Sequence, residues 1–370
     1  MTRYPVAAYR QLFPEEHGKP RGDCSPYAPV EDADHFQPEP NFFEWWYFDT
    51  SFEDGSYLVA IFHSSPYNMA DHKPTIDLRY YPPGRPSITA MGRVDRAMYE
   101  AAPDHCDVRI GHCSAVDQGE CYRLSLSQGP LSAELAFWPT LPGWKAGTGH
   151  LFADPVSGHH FDWVVPLPRA HVEGVLTVNA QRRHVVGTGY HDHNWGTLYL
   201  PSAFRCWTWG RILAQDWTLI FGDVVGRGAS LPNVTPLMLA RGDAIVLATD
   251  RVRFDCEDLA PKPRTGRGHL HRLHLTTTEG PGIKLTLTAS RAMEAVDFAA
   301  PHLFLARYPR VRRAAESAFY MAQGFPVARQ IAAWLLGKGS YVRWEADYRL
   351  DLPDYGAVET GQALYEMMLL

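Results

Sequence analysis

Along most of the chain, apolar and polar residues alternate in short runs, each broken by Gly, Pro, Asn or Asp. The runs FEWWYFDTSF, SYLVAIFHS, YRLSLSQ, LSAELAFW, VEGVLTVNA, HVVGTGYHDHNW, FRCWTWGRI, DWTLIFGDVV, AIVLATDRVRF, LHRLHLTTT and IKLTLTASR follow one another from about residue 40 to about residue 300 with no helical period between them. Period-two alternation at this spacing predicts an all-β chain of antiparallel barrels or sandwiches. Residues 1–40 are rich in Pro and acids (Pro14, Pro20, Pro26, Pro29, Pro38, Pro40), which predicts an extended arm with little regular structure. A chain of 370 residues exceeds one ordinary domain. A seam is expected at HFDWVVPLPRAHVEG, where Pro166 and Pro168 would stop a central strand. The expected division is therefore an arm over 1–40, one β unit over 41–168 and a second over 169–370. Residues 303–337 depart from the pattern and read as two short helices divided at Gly324 to Pro326, inserted before a closing strand SYVRWEADYRLDL.

Composition narrows the partners. Eleven Trp, 18 Tyr and 17 Phe exceed what a core of this size needs and suit a cavity for an extended apolar ligand. With 21% charged residues and a net charge of −6, the chain offers no global attraction to phosphate backbones, so no nucleic-acid partner is expected. Met1 to Gly22 carries scattered charges and no apolar run of signal-peptide type, and no stretch is apolar for the length of a spanning helix. The six cysteines show no CxxC spacing, which fits reduced thiols in a cytoplasmic protein. No glycine loop of phosphate-cradling type stands at a strand–helix junction, so no nucleotide cofactor is implied.

Two stretches concentrate the functional side chains. On a strand, Glu44, Trp46 and Phe48 share one face, and Trp45, Tyr47 and Asp49 the other. A carboxylate such as Glu44 among indoles needs a partner or a raised pKa. In Gly187 to Gly196, GTGYHDHNWG, the same alternation puts His191, His193 and Trp195 on one face and Tyr190, Asp192 and Asn194 on the other. Burying so many polar groups in succession is costly unless they serve a purpose. Two histidines at i, i+2 have chelating geometry, with Glu44 or Asp223 as a possible third ligand, but no third ligand is clearly placed and no metalloenzyme motif is present. No metal is expected. His105-Cys106 and His112-Cys113 fit no zinc spacing and read as ordinary strand residues.

FEWWYFDT, GTGYHDHNWG and the approach FDWVVPLPRAHVEGVLTV resemble the signatures of the carotenoid 1,2-hydratase (hydroxyneurosporene synthase) family, a lipocalin-like group that also includes fungal decalin-forming Diels–Alderases. The resemblance covers about residues 40–225, and the last strand more loosely. It implies two lipocalin-like β units enclosing an apolar cavity; no cofactor is expected. It also places the functional His and Trp of the second motif on His193 and Trp195, and the acid on Asp223. Where the family carries a tyrosine two residues before that acid, this chain has Phe221.

The activity so implied is hydration of a terminal isoprenoid alkene on an apolar polyene through a tertiary carbocation. Asp223 would be an acid kept neutral by apolar surroundings, and His193 would orient or deprotonate water. Trp195, Trp46, Trp207 and Trp209 would face the cation. Glu44, Phe48, Tyr190, His191, Asn194 and Phe221 complete the expected substrate wall. Two alternatives stay open: a cyclase, proton-initiated or of Diels–Alder type, and a non-catalytic carrier of lipid or carotenoid. Between Leu303 and Gly339, Arg307, Arg310, Arg312, Arg313, Arg329 and Lys338 face the lone acid Glu316 among large apolar residues. That mixture suits interfacial helices that would make a cytoplasmic protein peripheral on the inner face of the cytoplasmic membrane, and equally a helix pair packed on the barrel that only caps the cavity with its arginines solvated.

Overall fold

The alternation becomes two sheets, each curled around its own apolar core. The computed structural model describes residues 10–12, 26–67, 71–153, 158–227, 233–259, 270–299, 311 and 338–370. The expected helices at 303–337, and with them the membrane-facing surface, lie outside the described residues, Val311 apart. Among the described residues no helix is long and apolar enough to cross a membrane.

In the first unit, Gln181–Gly196 lies at the centre, paired antiparallel with Phe43–Phe52 on one side and His160–Val178 on the other. Beyond Phe43–Phe52 come Tyr57–Ser65, Thr75–Tyr81 and Ile88–Arg93. Beyond His160–Val178 come Leu131–Pro139, Tyr122–Gln128, Cys113–Asp117, Asp107–Ile110 and Tyr99–Ala101, while Trp144–Ala153 also pairs with His160–Val178. The inward row of each strand (Trp46, Phe48, Phe62, Leu78, Val108, Leu124, Leu135, Val172) forms the core.

The second unit is ordered Ala244–Thr249, Leu237–Arg241, Trp217–Gly226, Phe204–Leu213, Ala357–Leu369, Lys338–Leu352, Lys284–Ala299, Leu270–Thr277, Val252–Leu259. Its core includes Leu219, Phe221, Leu273, Leu287, Trp344 and Tyr365. All these pairings are antiparallel; Arg10–Leu12 adds a short parallel strand to Ala244–Thr249.

One expectation needs correction. The chain divides between Leu198 and Tyr199, not at Pro166 and Pro168. His160–Val178 runs straight through both prolines, because the ladder to Gln181–Gly196 shifts register between Val164 and Leu167 and again between Leu167 and Ala170. At such bulges a residue without an N–H breaks no ladder bond. Among the described residues of the arm there are two short elements. The arm supplies Arg10–Leu12 to the second unit and a 3-10 turn, Pro29–Asp32, to the first.

Glycine sets how closely the central strands approach. A Cβ on Gly187 would lie 2.3 Å from the carbonyl oxygen of Ser51, and one on Gly174 2.0 Å from that of Glu134, both backbone atoms of a neighbouring strand. Backbone in a ladder cannot step aside as a side-chain tip can. Gly187→Ala is therefore expected to cost about 1–3 kcal/mol through overpacking, seen as a lower urea midpoint at an unchanged m-value. An unaltered midpoint would contradict this strand spacing.

Candidate functional site

The two faces read from the sequence exist. Glu44, Trp46, Phe48, His191, His193 and Trp195 come together on the inner face of the first unit, because Trp195 pairs with Glu44, His193 with Trp46 and His191 with Phe48 across the ladder. His191 stacks on Phe48 at 3.8 Å between ring centroids, and His193 on Trp46 at 4.3 Å. Tyr190, Asp192 and Asn194 turn to the opposite face. There Asp192 accepts from Tyr190 Oη (2.8 Å), Asn194 Nδ2 (2.9 Å) and Trp163 Nε1 (3.2 Å).

The arm completes the inner cluster. The turn Pro29–Asp32, whose Ala28 N–H donates to Glu31 (2.8 Å), delivers the fully buried Asp32 between the two histidines. His191 donates from Nδ1 to the Tyr47 carbonyl (2.9 Å), and its Nε2 stands 3.0 Å from Asp32 Oδ2. Tyr122 donates to that same oxygen at 3.0 Å. His193 lies between two carboxylates, with Nδ1 3.3 Å from Asp32 and Nε2 3.3 Å from Glu44. Neither contact has the alignment of a hydrogen bond, so the attraction is that of charges. Glu44 is held in turn by the His35 N–H (2.7 Å) and by the Ser64 hydroxyl. The His35 ring stacks on Trp195 at 3.9 Å.

Electrostatics follow from this enclosure. Burial pushes the His193 imidazolium down, but Asp32 and Glu44 outweigh it and leave its pKa raised. Burial alone would raise Asp32, yet its contacts to His191 and His193 bring it down to about 2. With both His193 nitrogens turned to carboxylates, neither is aimed at an incoming water. In the same cluster, Cys106 brings its sulfur within 4.8 Å of ligand atoms of Asp32 and His191, the metal-type grouping among the described residues. Burial holds its thiol protonated, and the Asp32 oxygens are already engaged, so the trio reads as a hydrogen-bonded core.

One ladder step beyond Trp195, buried Asp162 receives the Nδ1 atoms of His150 and His160, the latter at 2.5 Å. These partners pull Asp162 down against the opposing effect of burial, and the bond to Asp162 raises His150.

Asp223 belongs to the second unit. It faces inward on Trp217–Gly226 together with Phe221, at the edge of the apolar core, and accepts Thr235 Oγ1 at 2.7 Å. Burial pushes its carboxyl up to about 6, with the Thr235 bond pulling the other way. Trp207 and Trp209 share a strand with Thr208, the cross-strand partner of Asp223, but lie on the opposite face. They do not line a wall with Asp223, because alternate residues of a strand face apart.

Sequence reasoning missed Asp32, His35, Ser64, Tyr122 and Asp162. Asp32 and His35 sit in a Pro-rich, acidic stretch whose composition reads as loop. The only available hint was that Glu44 and the two histidines demanded buried partners of opposite charge.

Asp32→Asn keeps the shape and removes one carboxylate, leaving buried imidazole charge uncompensated. A loss of about 3–5 kcal/mol in urea unfolding at neutral pH is expected, the usual size for a broken buried pair. Because the folded pKa of Asp32 lies below the ordinary aspartate value of 3.8, its contribution is present above that value and is lost as pH falls from about 4 through about 2. Wild type should therefore lose stability over that window more steeply than Asp32→Asn; parallel curves would refute the pairing.

Comparison with known proteins bears on the same stretch. The family model for the carotenoid hydratase CrtC matches residues 148–254, which include His193, Trp195 and Asp223. The hydroxyneurosporene dehydrogenase of Chlorobaculum tepidum is 28% identical over 247 residues, covering 57% of this chain and 64% of that protein. The acyclic carotenoid 1,2-hydratase of Cereibacter sphaeroides is 41% identical over 73 residues, covering 20% of this chain and 25% of that one. The matches thus span less than two thirds of either relative's own length. Among solved structures, CghA with Sch210972 superimposes with a TM-score of 0.64 at 13% identity, covering 96% of this chain and 97% of that one, a likeness of fold. Residues 148–254 are thus similar to the carotenoid hydratase family, and nearly the whole chain shares its fold with CghA.

Proposed function

We propose that this protein is a hydratase that adds water to a terminal alkene of an apolar, carotenoid-like isoprenoid, with Asp223 as proton donor. The observation that carries the reading is a carboxyl buried at the edge of an apolar core, bonded to one hydroxyl and to no cation among its resolved partners. Such a group stays protonated further into the neutral range than an exposed carboxyl, as protonation of an unactivated alkene requires. The matched segment contains it, and the names of both relatives point to acyclic carotenoid chemistry.

Protonation leaves a tertiary cation that needs electron-rich faces rather than nucleophilic anions. On the inner face beside Asp223, Phe221, Tyr365 and Trp344 stand in one cross-strand row through Gly210. Each ring over a cation contributes about 0.5–2 kcal/mol. Once Asp223 has given its proton it is a carboxylate, and it can take one back from the attacking water, so a single residue serves as acid and then base. His193 enters this reading as the charge that fixes Trp46 and Trp195, not as the base. Capture of the same cation by a second alkene would make a cyclase, a course favoured by the ring of Phe221, which adds no hydroxyl to the face.

Asp223→Asn should lower turnover by a factor of about 10²–10⁴, the usual worth of a positioned acid, while leaving carotenoid binding intact. The folded carboxyl pKa is raised, so the active acid form and its stabilising protonation are complete at low pH and are lost as pH rises through about 6. The rate for wild type should fall above that value, and this limb should vanish in Asp223→Asn. In deuterated water a hydratase gives an alcohol with deuterium on carbon, and a cyclase a deuterated product with no added water. A carrier gives no product, which would end the proposal.

A further inference from the structure

Hydration also requires that water be held beside the acid. On the inner face of the second unit, Thr208 is the direct cross-strand partner of Asp223, a placement that brings side chains into contact range. Thr208 is 1% exposed, yet its Oγ1 has no hydrogen-bond partner. A buried hydroxyl left in that state is unfavourable unless something polar visits it. Its other ladder neighbours on this face, Met367 and then Val342, are apolar. Cys206, two residues along, has its thiol pushed up to about 11, first by burial and then by Asp223, and is neutral. The Thr235 hydroxyl is already given to Asp223 Oδ1, which leaves Oδ2 for the transferable proton.

We propose that Thr208 is the water-positioning residue of this site, holding the reacting water between its hydroxyl and the free oxygen of Asp223. The inference rests on the hydratase reading. Asp223 gives its proton to the less substituted alkene carbon, forming a C–H bond and leaving the cation on the tertiary carbon. A lone pair of the water held by Thr208 forms the C–O bond. The surplus proton on that oxygen returns to the Asp223 carboxylate, which restores the acid and needs no co-reactant. Without the seat, the cation sheds a proton instead and reverts to an alkene. Thr208 thus decides the fate of the cation, and Asp223 its formation.

The test compares wild type, Thr208→Val and Thr208→Ser, each confirmed folded by its urea transition. The probe is a detergent-dispersed acyclic carotenoid with a terminal isopropylidene group in deuterated water, with alcohol and recovered alkene analysed by mass. Thr208→Val matches the original shape without the hydroxyl. It should cut alcohol formation by about tenfold or more at unchanged KM, as expected for loss of a contact made only on the way to the transition state. It should still place deuterium in recovered alkene. Thr208→Ser should restore most of the alcohol. Alcohol from Thr208→Val at the wild-type rate overturns the assignment, and so does Thr208→Ser failing as badly as Thr208→Val, which would mark a packing role. If wild type itself puts no deuterium on carbon, the hydratase reading falls and takes this inference with it, an outcome distinct from the first two.

Discussion

The first unit depends on charge compensation in a dry interior. Asp32, Glu44, His191 and His193 are all fully buried, and an isolated charge in such a place would not survive. Each tolerates burial because the next is within reach: Asp32 between His191 and His193, and Glu44 against His193. The chain of charges also fixes geometry, since the rings of His191 and His193 are clamped flat on Phe48 and Trp46. His35 and Trp195 stack at its end. The arm residue Asp32 is thus what allows two histidines to sit in the core of a β unit.

The second unit treats its buried carboxyl in the opposite way. Asp32 meets imidazoles and is drawn down to about 2, whereas Asp223 meets one hydroxyl and rises to about 6. The same residue type in buried positions is an anion at neutral pH in one unit and an acid that can give up its proton near neutrality in the other. What separates them is the nearest partner, not the depth of burial. For alkene chemistry the second environment is the productive one, because a carboxyl compensated by an imidazolium has no proton to give.

How the chain spreads its aromatics follows from the same contrast. Phe221, Tyr365 and Trp344 lie in a row beside Asp223 because antiparallel pairing through Gly210 aligns them. A Cβ on Gly210 would meet the Phe221 ring at 2.6 Å, so the glycine is what lets that ring lie across the strand. Trp207 and Trp209, as aromatic and as near in sequence, are excluded from this face by the strand's two-residue period.

Period-two alternation by itself determined that the chain is all-β, which residues of FEWWYFDTSF and GTGYHDHNWG share a face, and that Glu44 needed a partner. These are local properties: a strand repeats every two residues whatever it packs against. The resemblance that the motifs carry also marked His193, Trp195 and Asp223 as candidates. Only the tertiary structure decided that Pro166 and Pro168 sit in bulges rather than at a boundary, because register shifts arise from pairing with a second strand. Only it brought Asp32, from a stretch that reads as loop, to histidines about 160 positions away, a distance set by the ladder and by no local preference. It alone separated Trp207 and Trp209 from Asp223 and put Thr208 opposite it. Which side chains meet across a sheet depends on strand order and register, and neither is written in any single strand.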